Sequence, residues 1–357
     1  STLFLNNIIL FYDKDFKEEL KQEWYGQLDT TFAIKPQIIY NYITKKEQVF
    51  VQDKNNKIYL FSTNGEKLWE EKIQERILGE VSQIDFYKNK KLQILFNTKS
   101  KLYIFDRLGR IVENFPKKLP SNATNGHATF DYNNRNYRIL IAAEDGKLYN
   151  FDKKGHEING WNFKEKNSTI TENAQHFVVG SKDYILYPAK DKNLSLLARD
   201  GKERVSYNNI PEFNKQSLQV DKNGMIYGIT NEGKLWRGKL DGNATKIPVT
   251  NLNANSKFLL YDNKFIYSSD KTIFVVDEKF DLLHSFELNN TIQEITTFKN
   301  IIVLITSKEI YLWKDGEIME GTPIETDRFT SVCDLDKDGK TNIIISRDAF
   351  LYNFEVE

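Results

Sequence analysis

The chain has 357 residues, of which 40% are hydrophobic and 13% aromatic, so it can bury a large core and is not typical of a disordered protein. Its 50 basic and 50 acidic side chains give a formal net charge of zero, which excludes a global field that would attract nucleic acid or an anionic membrane. The single cysteine, Cys333, excludes an internal disulfide framework and a multi-cysteine zinc site.

The N-terminus lacks the features of a signal peptide. Residues Ser1 to Asn7 have no basic segment, long apolar run or small-residue cleavage site, and no later stretch is an apolar run of membrane-spanning length. We therefore expect a chain that is soluble as given, without direct membrane insertion and without a nucleic-acid partner. Because Ser1 is not an initiator methionine, a trimmed or mature form stays open.

Two strand-like stretches lie in the N-terminal segment, residues 1–30. Asp15–Trp24 is the best helix candidate of the chain, but it aligns equally well with a turn followed by a strand, and we interpret it as a strand. Asn7–Tyr12 resembles the third strand of the repeat that occupies the rest of the chain.

That repeat consists of a basic or polar residue, an aliphatic residue, an aromatic residue, two further apolar positions and a turn. Clear copies begin at Lys57, Lys101 and Lys147, and weaker copies follow. The central positions of the copies are 59, 103, 149, 195, 236, 274, 311 and 352. Their spacing of 37 to 46 residues is typical of a propeller blade.

Each period resolves into four short strands, A to D, because alternating apolar residues are interrupted by Gly, Asn and Asp turns. Asp145 and Gly146 link strands B and C in the third copy, and Gly155 supplies the positive φ that a tight C to D hairpin requires. The predicted strands of that copy are Thr129–Tyr132 (A), Tyr137–Ala143 (B), Lys147–Phe151 (C) and Glu157–Phe163 (D).

The sequence therefore predicts an all-β fold, a single β-propeller domain over residues 1–357 built from four-stranded antiparallel blades. Eight A-B-C sets start near residues 38, 81, 127, 174, 216, 257, 292 and 329. The last set ends at Glu357 without a D strand, and residues around Leu20 to Leu28 are expected to supply it and to close the ring. A ring of seven blades stays open, because Asn7–Tyr12 also resembles a C strand.

Recurring aromatic residues are predicted to be structural. Trp24, Trp69 and Trp161 fall on D strands shortly after a turn glycine, where each large ring would wedge between adjacent blades; ligand stacking is the alternative. The recurring tyrosines are expected to pack between sheets rather than to form an aromatic cage. They are Tyr59, Tyr103 and Tyr149.

The phrase Lys-[Ile/Leu]-Tyr-x-Phe-[Asp/Ser]-x-x-Gly followed by Trp resembles the repeat of quinoprotein-type (PQQ-repeat) β-propellers, which occur in bacterial dehydrogenases and in the propeller lipoprotein of the outer-membrane assembly machine. Val81–Thr98, Phe130–Ile139 and the ending Cys333–Gly339 are similar to the C-terminal propeller of uncharacterised Bacteroidetes envelope proteins. This resemblance implies part of a longer exported or lipid-anchored protein, periplasmic or associated with the outer membrane. It implies no activity, and quinone binding is not expected, because the related dehydrogenases place a vicinal cysteine pair over the cofactor.

The most specific local motif lies between residues 334 and 342. Carboxylates at alternate positions, with Gly339 at the sixth, are typical of a calcium loop. The candidate ligands are Asp334, Asp336, Asp338, the Lys340 carbonyl and Asn342. The twelfth position is Ile345, so the glutamate of an EF-hand is missing, and the loop resembles instead the hairpins of integrin-type (FG-GAP) propeller repeats. The alternative is an ordinary A to B turn with solvated carboxylates.

The corresponding hairpin of the third copy, Asp131 to Asn136, has Arg135 in place of a carboxylate, and we expect a turn that binds no metal. The scattered histidines are expected to be surface or turn residues rather than ligands. They are His127, His156, His176 and His284. No nucleotide-binding or hydrolase motif occurs in a strand-to-helix context.

The function that the sequence favours is that of a non-catalytic protein-binding or scaffolding propeller of a bacterial cell envelope, with no cofactor other than a structural Ca²⁺. A glycan-binding propeller is one alternative, signalled by exposed Trp or Tyr on a rim. A hydrolase or lyase is another, and it requires Asp, Glu, Arg or His from several A strands to converge in the central funnel.

Overall fold

The computed structural model describes residues 21–164, 173–188, 194–207, 210–214, 218–327 and 329–356. In these ranges the chain forms eight antiparallel sheets, which are the blades of a β-propeller. The prediction of eight blades is therefore confirmed, and the alternative of seven blades is not. Asn7–Tyr12, the basis of the seven-blade alternative, lies outside the described residues. None of the described residues belongs to a helix that could cross a bilayer.

Blade 8 contains both the first and the last strands of the described chain, and the other blades follow in order. The strands of blade 8 and of blades 1 to 4 are β1 (Lys21–Gln27), β2 (Gln37–Tyr40), β3 (Glu47–Gln52), β4 (Lys57–Phe61), β5 (Lys67–Lys72), β6 (Ile77–Ile84), β7 (Gln93–Thr98), β8 (Lys101–Phe105), β9 (Lys117–Lys118), β10 (Ala128–Asp131), β11 (Tyr137–Ala142), β12 (Leu148–Phe151), β13 (Gln175–Val179), β14 (Lys182–Pro188), β15 (Leu194–Leu197) and β16 (Glu203–Tyr207). Here β1 is the outer strand of blade 8, and blades 1 to 4 begin at β2, β6, β10 and β13.

Blades 5 to 8 begin at β17, β21, β25 and β30. Their strands are β17 (Gln219–Val220), β18 (Ile226–Ile229), β19 (Leu235–Gly238), β20 (Ala244–Ile247), β21 (Phe258–Tyr261), β22 (Lys264–Ser269), β23 (Thr272–Val276), β24 (Leu282–Glu287), β25 (Ile292–Phe298), β26 (Ile301–Thr306), β27 (Glu309–Lys314), β28 (Glu317–Ile318), β29 (Ile324–Glu325), β30 (Thr330–Cys333), β31 (Thr341–Arg347) and β32 (Phe350–Val356). In blade 7, β29 adds a second short pairing to β27. The predicted central position of every repeat copy lies in the third strand of its blade.

The ring closes as predicted, through the N-terminal strand. Antiparallel β1 pairs with β32, and Tyr25 lies opposite Tyr352. Beyond the strand, the Leu28 N–H donates to the carbonyl oxygen of Ala349 at 2.9 Å. The segment Asp15–Trp24 was the best helix candidate of the sequence. Its residues 21 to 24 are strand rather than helix, and Asp15 to Leu20 lie outside the described residues.

The hydrophobic core is divided into layers between neighbouring blades. One cluster combines Phe50 and Leu60 of blade 1 with Phe96 and Phe105 of blade 2. Second and third strands carry near-continuous apolar runs, such as Ile301–Thr306, because the neighbouring blades cover both of their faces. Each blade is consequently stabilised by burial against the two blades that flank it.

Neighbouring inner strands approach one another round the axis and are joined by glutamine side chains. Gln83 of blade 2 accepts the Tyr40 N–H at 2.7 Å and donates to the Tyr40 carbonyl oxygen at 2.9 Å. Gln219 of blade 5 makes the same double contact with blade 6, through the carbonyl oxygen of Phe258 and the N–H of Leu260. These bonds satisfy main-chain groups that the edge of each inner strand would otherwise leave unpaired.

The tryptophans wedge between blades, as predicted. A Cβ on Gly109, in the C to D turn of blade 2, would lie 2.8 Å from Cδ2 of Trp69 on the outer strand of blade 1. The Trp69 indole N–H donates to the Arg107 carbonyl oxygen at 3.0 Å. Trp24 and Trp161 contact the turn glycines of their neighbouring blades in the same way. The recurring tyrosines pack between sheets too, with Tyr59 fully buried.

Blade 3 departs from the regular pattern, and the predicted D strand over Glu157–Phe163 is wrong. The sheet has three strands, and Glu157 forms only an isolated bridge to Phe151. The reason is the turn that follows: Gly160 has a φ of +79°, and the Trp161 N–H donates to the Ile158 carbonyl oxygen at 3.3 Å. The chain therefore bends away from β12 after one bridge. The predicted turns at Gly146 and Gly155 are confirmed, both with positive φ.

Candidate functional site

The candidate calcium loop is the hairpin between β30 and β31 of blade 8. Cys333 pairs with Asn342 at its base, and the positive φ angles of Lys337 (65°) and Gly339 (99°) turn the chain. The structure brings the three predicted carboxylates together. One oxygen of each lies within 4.8 Å of the others, and they come from Asp334, Asp336 and Asp338.

The two remaining predicted ligands hold the hairpin in shape. The buried Asn342 accepts the Leu335 N–H on its Oδ1 at 2.7 Å, so this oxygen fixes the start of the loop. The Lys340 N–H donates to Asp338 Oδ1 at 2.8 Å, and its ammonium lies 2.6 Å from Glu355. The loop is therefore preformed by hydrogen bonds between its main-chain N–H groups and its own side chains.

Lysine side chains surround the carboxylates. The Lys299 ammonium lies 3.0 Å from Asp334 Oδ2 and 3.0 Å from the carbonyl oxygen of Gly339. Burial raises the pKa of Asp334, but the hydrogen bonds from Lys299 and from the Gly339 N–H outweigh it, and the pKa lies below its ordinary value. Asp334 is therefore anionic at neutral pH, and a metal ion would compete with Lys299 for it.

Two carboxylate oxygens of the cluster are suited to bind a cation in addition to the lysine ammonium groups. Oδ1 of Asp334 and Oδ1 of Asp336 are buried, and within the described part of the chain neither has a hydrogen-bond partner. Unpartnered buried carboxylate oxygens are costly, and hard oxygen donors are the ligands that Ca²⁺ prefers. The donor set is thus chemically suited to Ca²⁺.

Other A to B hairpins use their first aspartate differently. Asp131 of blade 3 accepts the N–H groups of Arg135 at 3.0 Å and Asn136 at 2.7 Å. Asp85 of blade 2 likewise accepts two main-chain N–H groups and forms an ion pair with Arg135 at 2.7 Å. In these hairpins the carboxylate caps the turn, in agreement with the interpretation of the third copy as a turn.

The inner strands of blades 1, 2, 7 and 8 enclose a cavity of about 250 Å³ near the axis. Among the described residues that line it, the charged groups are Lys35 and Glu80, and Lys35 pairs with Glu294 at 3.3 Å. Threonine and apolar side chains make up most of the remaining wall. This composition offers a single ion pair rather than a set of acid and base groups.

His127 was expected to be a surface or turn residue rather than a ligand, but the structure buries it between two blades. The residue is 6% exposed. Its ring Nε2 lies 2.9 Å from Ser82 Oγ, and its main-chain N–H donates to Asn97 Oδ1 at 2.7 Å. Burial lowers the pKa of His127 to about 4, so the ring is neutral at physiological pH. It bridges blades 2 and 3. His156 and His284 are exposed, as expected, and His176 is half-buried against Phe130.

Large apolar side chains are exposed along part of the outer rim. They belong to the outer strands and C to D connections of blades 6, 7, 8, 1 and 2, and we call them the apolar rim: Leu282, Leu283, Ile318, Tyr25, Leu68, Leu108 and Ile111. Tyr25 is 61% exposed and Leu282 is 60% exposed. In the described parts of blades 3 to 5, no outer strand carries such a residue. No short sequence pattern indicates this rim, because its members are spread over most of the chain.

No family model and no curated protein sequence matches the chain. Solved structures do match. BamB from Moraxella catarrhalis is 12% identical with a TM-score of 0.64, covering 94% of this chain and 100% of its own. BBS1N in complex with ARL6DN is 9% identical with a TM-score of 0.54, covering 96% and 98%. The dihydro-heme d1 dehydrogenase NirN in complex with DHE is 10% identical with a TM-score of 0.60, covering 92% and 78%. At these identities the likeness shows the fold, a β-propeller.

Proposed function

We propose that this chain is a non-catalytic propeller that binds a protein partner through the apolar rim. The observation that carries the proposal is the recurrence of exposed apolar side chains on five consecutive blades. Single exposed apolar residues are normal on protein surfaces, whereas a run of them along one side is typical of an interaction surface. The BBS1N structure, a propeller in complex with another protein, is consistent with such a role for this fold.

The axial cavity supports the non-catalytic part of the proposal. Its one described ion pair, Lys35 with Glu294, is half exposed and lies among threonine and apolar side chains. General acid and base catalysis needs groups held at matched pKa values within reach of one substrate. NirN is an enzyme-like neighbour, so a site in the funnel is the competing function, and it would have to be built round this cavity.

We further propose that the protein works in a bacterial cell envelope, on the basis of the repeat phrase that resembles quinoprotein-type propellers. Separating periplasmic, outer-membrane and cytosolic fractions of the native cells tests this location. Recovery in the cytosolic fraction would contradict it.

The loop of Asp334, Asp336 and Asp338 is proposed to hold a structural Ca²⁺. Support comes from the mutual distance of the three carboxylates and from the two buried oxygens without a partner. An ion there would stabilise the hairpin of the blade that closes the ring.

The rim is tested by exchanging Leu282 and Leu283 together for serine. Both side chains are exposed on β24, so we expect the free energy of unfolding to change by less than about 0.5 kcal/mol per site. The tagged wild-type and variant proteins are cross-linked in native cells and purified, and the partner recovered with the wild type should be lost from the variant. The matched control is Val178→Ser, on β13 of blade 4, where the side chain is 53% exposed. Equal recovery with both variants would contradict binding through the rim.

A further inference from the structure

A second surface feature lies on the opposite part of the ring, between blades 3 and 4. It is a cavity of about 450 Å³, lined by the A to B hairpin of blade 3 and the C to D turn of blade 4. Its lining includes the segment Ile158–Gly160, which replaces the fourth strand of blade 3. The cavity therefore exists where the blade pattern is interrupted.

Three arginines converge on this cavity. Arg138 comes from β11 of blade 3, Arg199 from the C to D turn of blade 4 and Arg204 from β16. The guanidinium of Arg199 lies 3.5 Å from the centroid of the Tyr132 ring, and that of Arg204 lies 5.3 Å from the Tyr184 ring. The guanidinium of Arg138 also lies over the Tyr132 ring, at 5.6 Å, so an aromatic face lies beside each of the three cations.

Among the described residues, these arginines have no acidic partner in an ion pair. Within the described ranges none of the three forms an ion pair, and Arg138 donates only to neutral oxygens, at Asn136 and the Tyr137 carbonyl. Asp200, the one carboxylate among the described lining residues, accepts the Lys202 N–H at 3.1 Å and pairs with the Lys202 ammonium at 3.3 Å. The described lining of the cavity consequently has more basic than acidic side chains, in a protein of zero formal net charge.

Tyr132 contributes a hydroxyl group that has no hydrogen-bond partner among the described residues. The residue lines the cavity and is 9% exposed, and its buried hydroxyl has no partner in the described chain. Burial raises the pKa of Tyr132 to about 12, so the hydroxyl keeps its proton at neutral pH and is a donor. A buried donor without an acceptor is costly, which favours an acceptor supplied by a ligand.

We propose that this cavity binds a ligand that carries an oxyanion, a carboxylate or phosphate group. The planar guanidinium fork matches both groups, and bonds between ionised partners are stronger than neutral ones. The volume is that of a site for one small molecule or one side chain. The Trp161 indole N–H already donates to the Leu148 carbonyl oxygen at 2.7 Å, which leaves the ring to contact the apolar part of the ligand. The inference does not depend on the apolar rim.

The experiment measures thermal stabilisation by two probes, inorganic phosphate and glutarate, each compared with chloride at the same ionic strength. Because a ligand that binds only the folded state raises its stability, a specific site gives a saturable increase in melting temperature. Non-specific salt effects of phosphate do not saturate and occur equally in all variants. Saturation by phosphate alone identifies a phosphate site, and saturation by glutarate alone identifies a carboxylate site.

The test variant is Arg199→Gln combined with Arg204→Gln, both exposed and outside the core. We expect at least about a tenfold loss of affinity for the probe, since each substitution removes charge-assisted hydrogen bonds. Arg76→Gln, an exposed arginine before blade 2, is the control and should bind as the wild type does. Tyr132→Phe should weaken binding if its hydroxyl donates. Absence of saturation with either probe, or equal affinity in the double variant, would overturn the proposal.

Discussion

The indole of Trp69 on blade 1 lies directly against Gly109, the turn glycine of blade 2, with no room for a Cβ between them. This contact joins the outer strand of one blade to the C to D turn of the next, and it recurs at the seam, where Trp24 of blade 8 contacts Gly65 of blade 1. The outer edges of these blades are thus held together by aromatic side chains and glycines. The inner strands of blades 1 and 2 are joined by Gln83, and those of blades 8 and 1 by the bond from the Ser331 hydroxyl to the Pro36 carbonyl oxygen.

The first prediction concerns Gly109. Alanine there would place its Cβ 2.8 Å from the Trp69 ring at a φ of +79°, so we expect strain from both the contact and the backbone. Gly160 has the same φ of +79° and nothing within 4 Å of an added Cβ. Urea unfolding should show a loss of about 1 kcal/mol for Gly160→Ala and at least about 1 kcal/mol more for Gly109→Ala. Equal losses would mean that the indole contact contributes nothing.

A second prediction concerns the seam. Trp24→Ala removes the ring that covers Gly65, so we expect a loss of about 2 kcal/mol in the free energy of unfolding. Hydrogen exchange should increase in β1 and β32, because the ring is closed there only by non-covalent bonds. Trp69→Ala is the control, and it should raise exchange in blades 1 and 2 but not at the seam. Faster exchange at the seam in both variants would count against local opening.

The calcium loop gives a third prediction. Millimolar Ca²⁺ should raise the melting temperature of the wild-type protein, by an amount equivalent to about 2.7 kcal/mol at a concentration of one hundred times Kd. Asp336→Asn should abolish the increase, and Asp131→Asn, in the turn of blade 3, should leave it intact. Lys299→Met should tighten binding, because the ammonium beside Asp334 competes with the ion. A wild-type melting temperature that Ca²⁺ does not change would refute the site.

The fourth prediction is a pH dependence due to His127. Its pKa falls from 6.5 to about 4 on burial, so the unfolded chain binds the proton more tightly than the folded chain. Stability should therefore be complete above about pH 6.5 and decrease as the pH falls towards about 4, with a slope approaching 1.4 kcal/mol per pH unit.

Urea unfolding at several pH values measures this slope. His127→Gln should flatten it, whereas His156→Gln, an exposed site, should not. An unchanged slope in His127→Gln would assign the dependence to other groups.

Much of the fold could be predicted because blades repeat. The residues at 59, 103 and 149 share one pattern, and each lies in the third strand of its sheet. The seam could be predicted because the last blade lacked a strand and only the N-terminal segment was unused. The absence of a fourth strand in blade 3 was not predicted, because residues 157–163 follow a turn glycine and include a tryptophan, as other D strands do. The apolar positions 158, 161 and 163 nevertheless lose their alternation at Gly160, and the bend there decides against a strand.

The sites were predictable to different degrees. The three aspartates of the hairpin lie within five residues of sequence, so their spacing alone indicates that they converge. The arginines of the cavity do not show such a pattern, because Arg138 and Arg199 are brought together only by the packing of two blades. The signal that could have found them was indirect: basic residues near a repeat whose predicted fourth strand loses its apolar alternation at Gly160.

The antiparallel pairing of β1 with β32 also determines how the ring responds to force. Lys21, at the start of β1, lies opposite Glu355, near the end of β32, so the start of the first described strand and the end of the last lie at the same side of the sheet. Tension applied between these two strand ends would break the hydrogen bonds of the pair one after another, rather than load all of them at once in shear. Among the joints between neighbouring strands, this pair is therefore expected to rupture first under mechanical load.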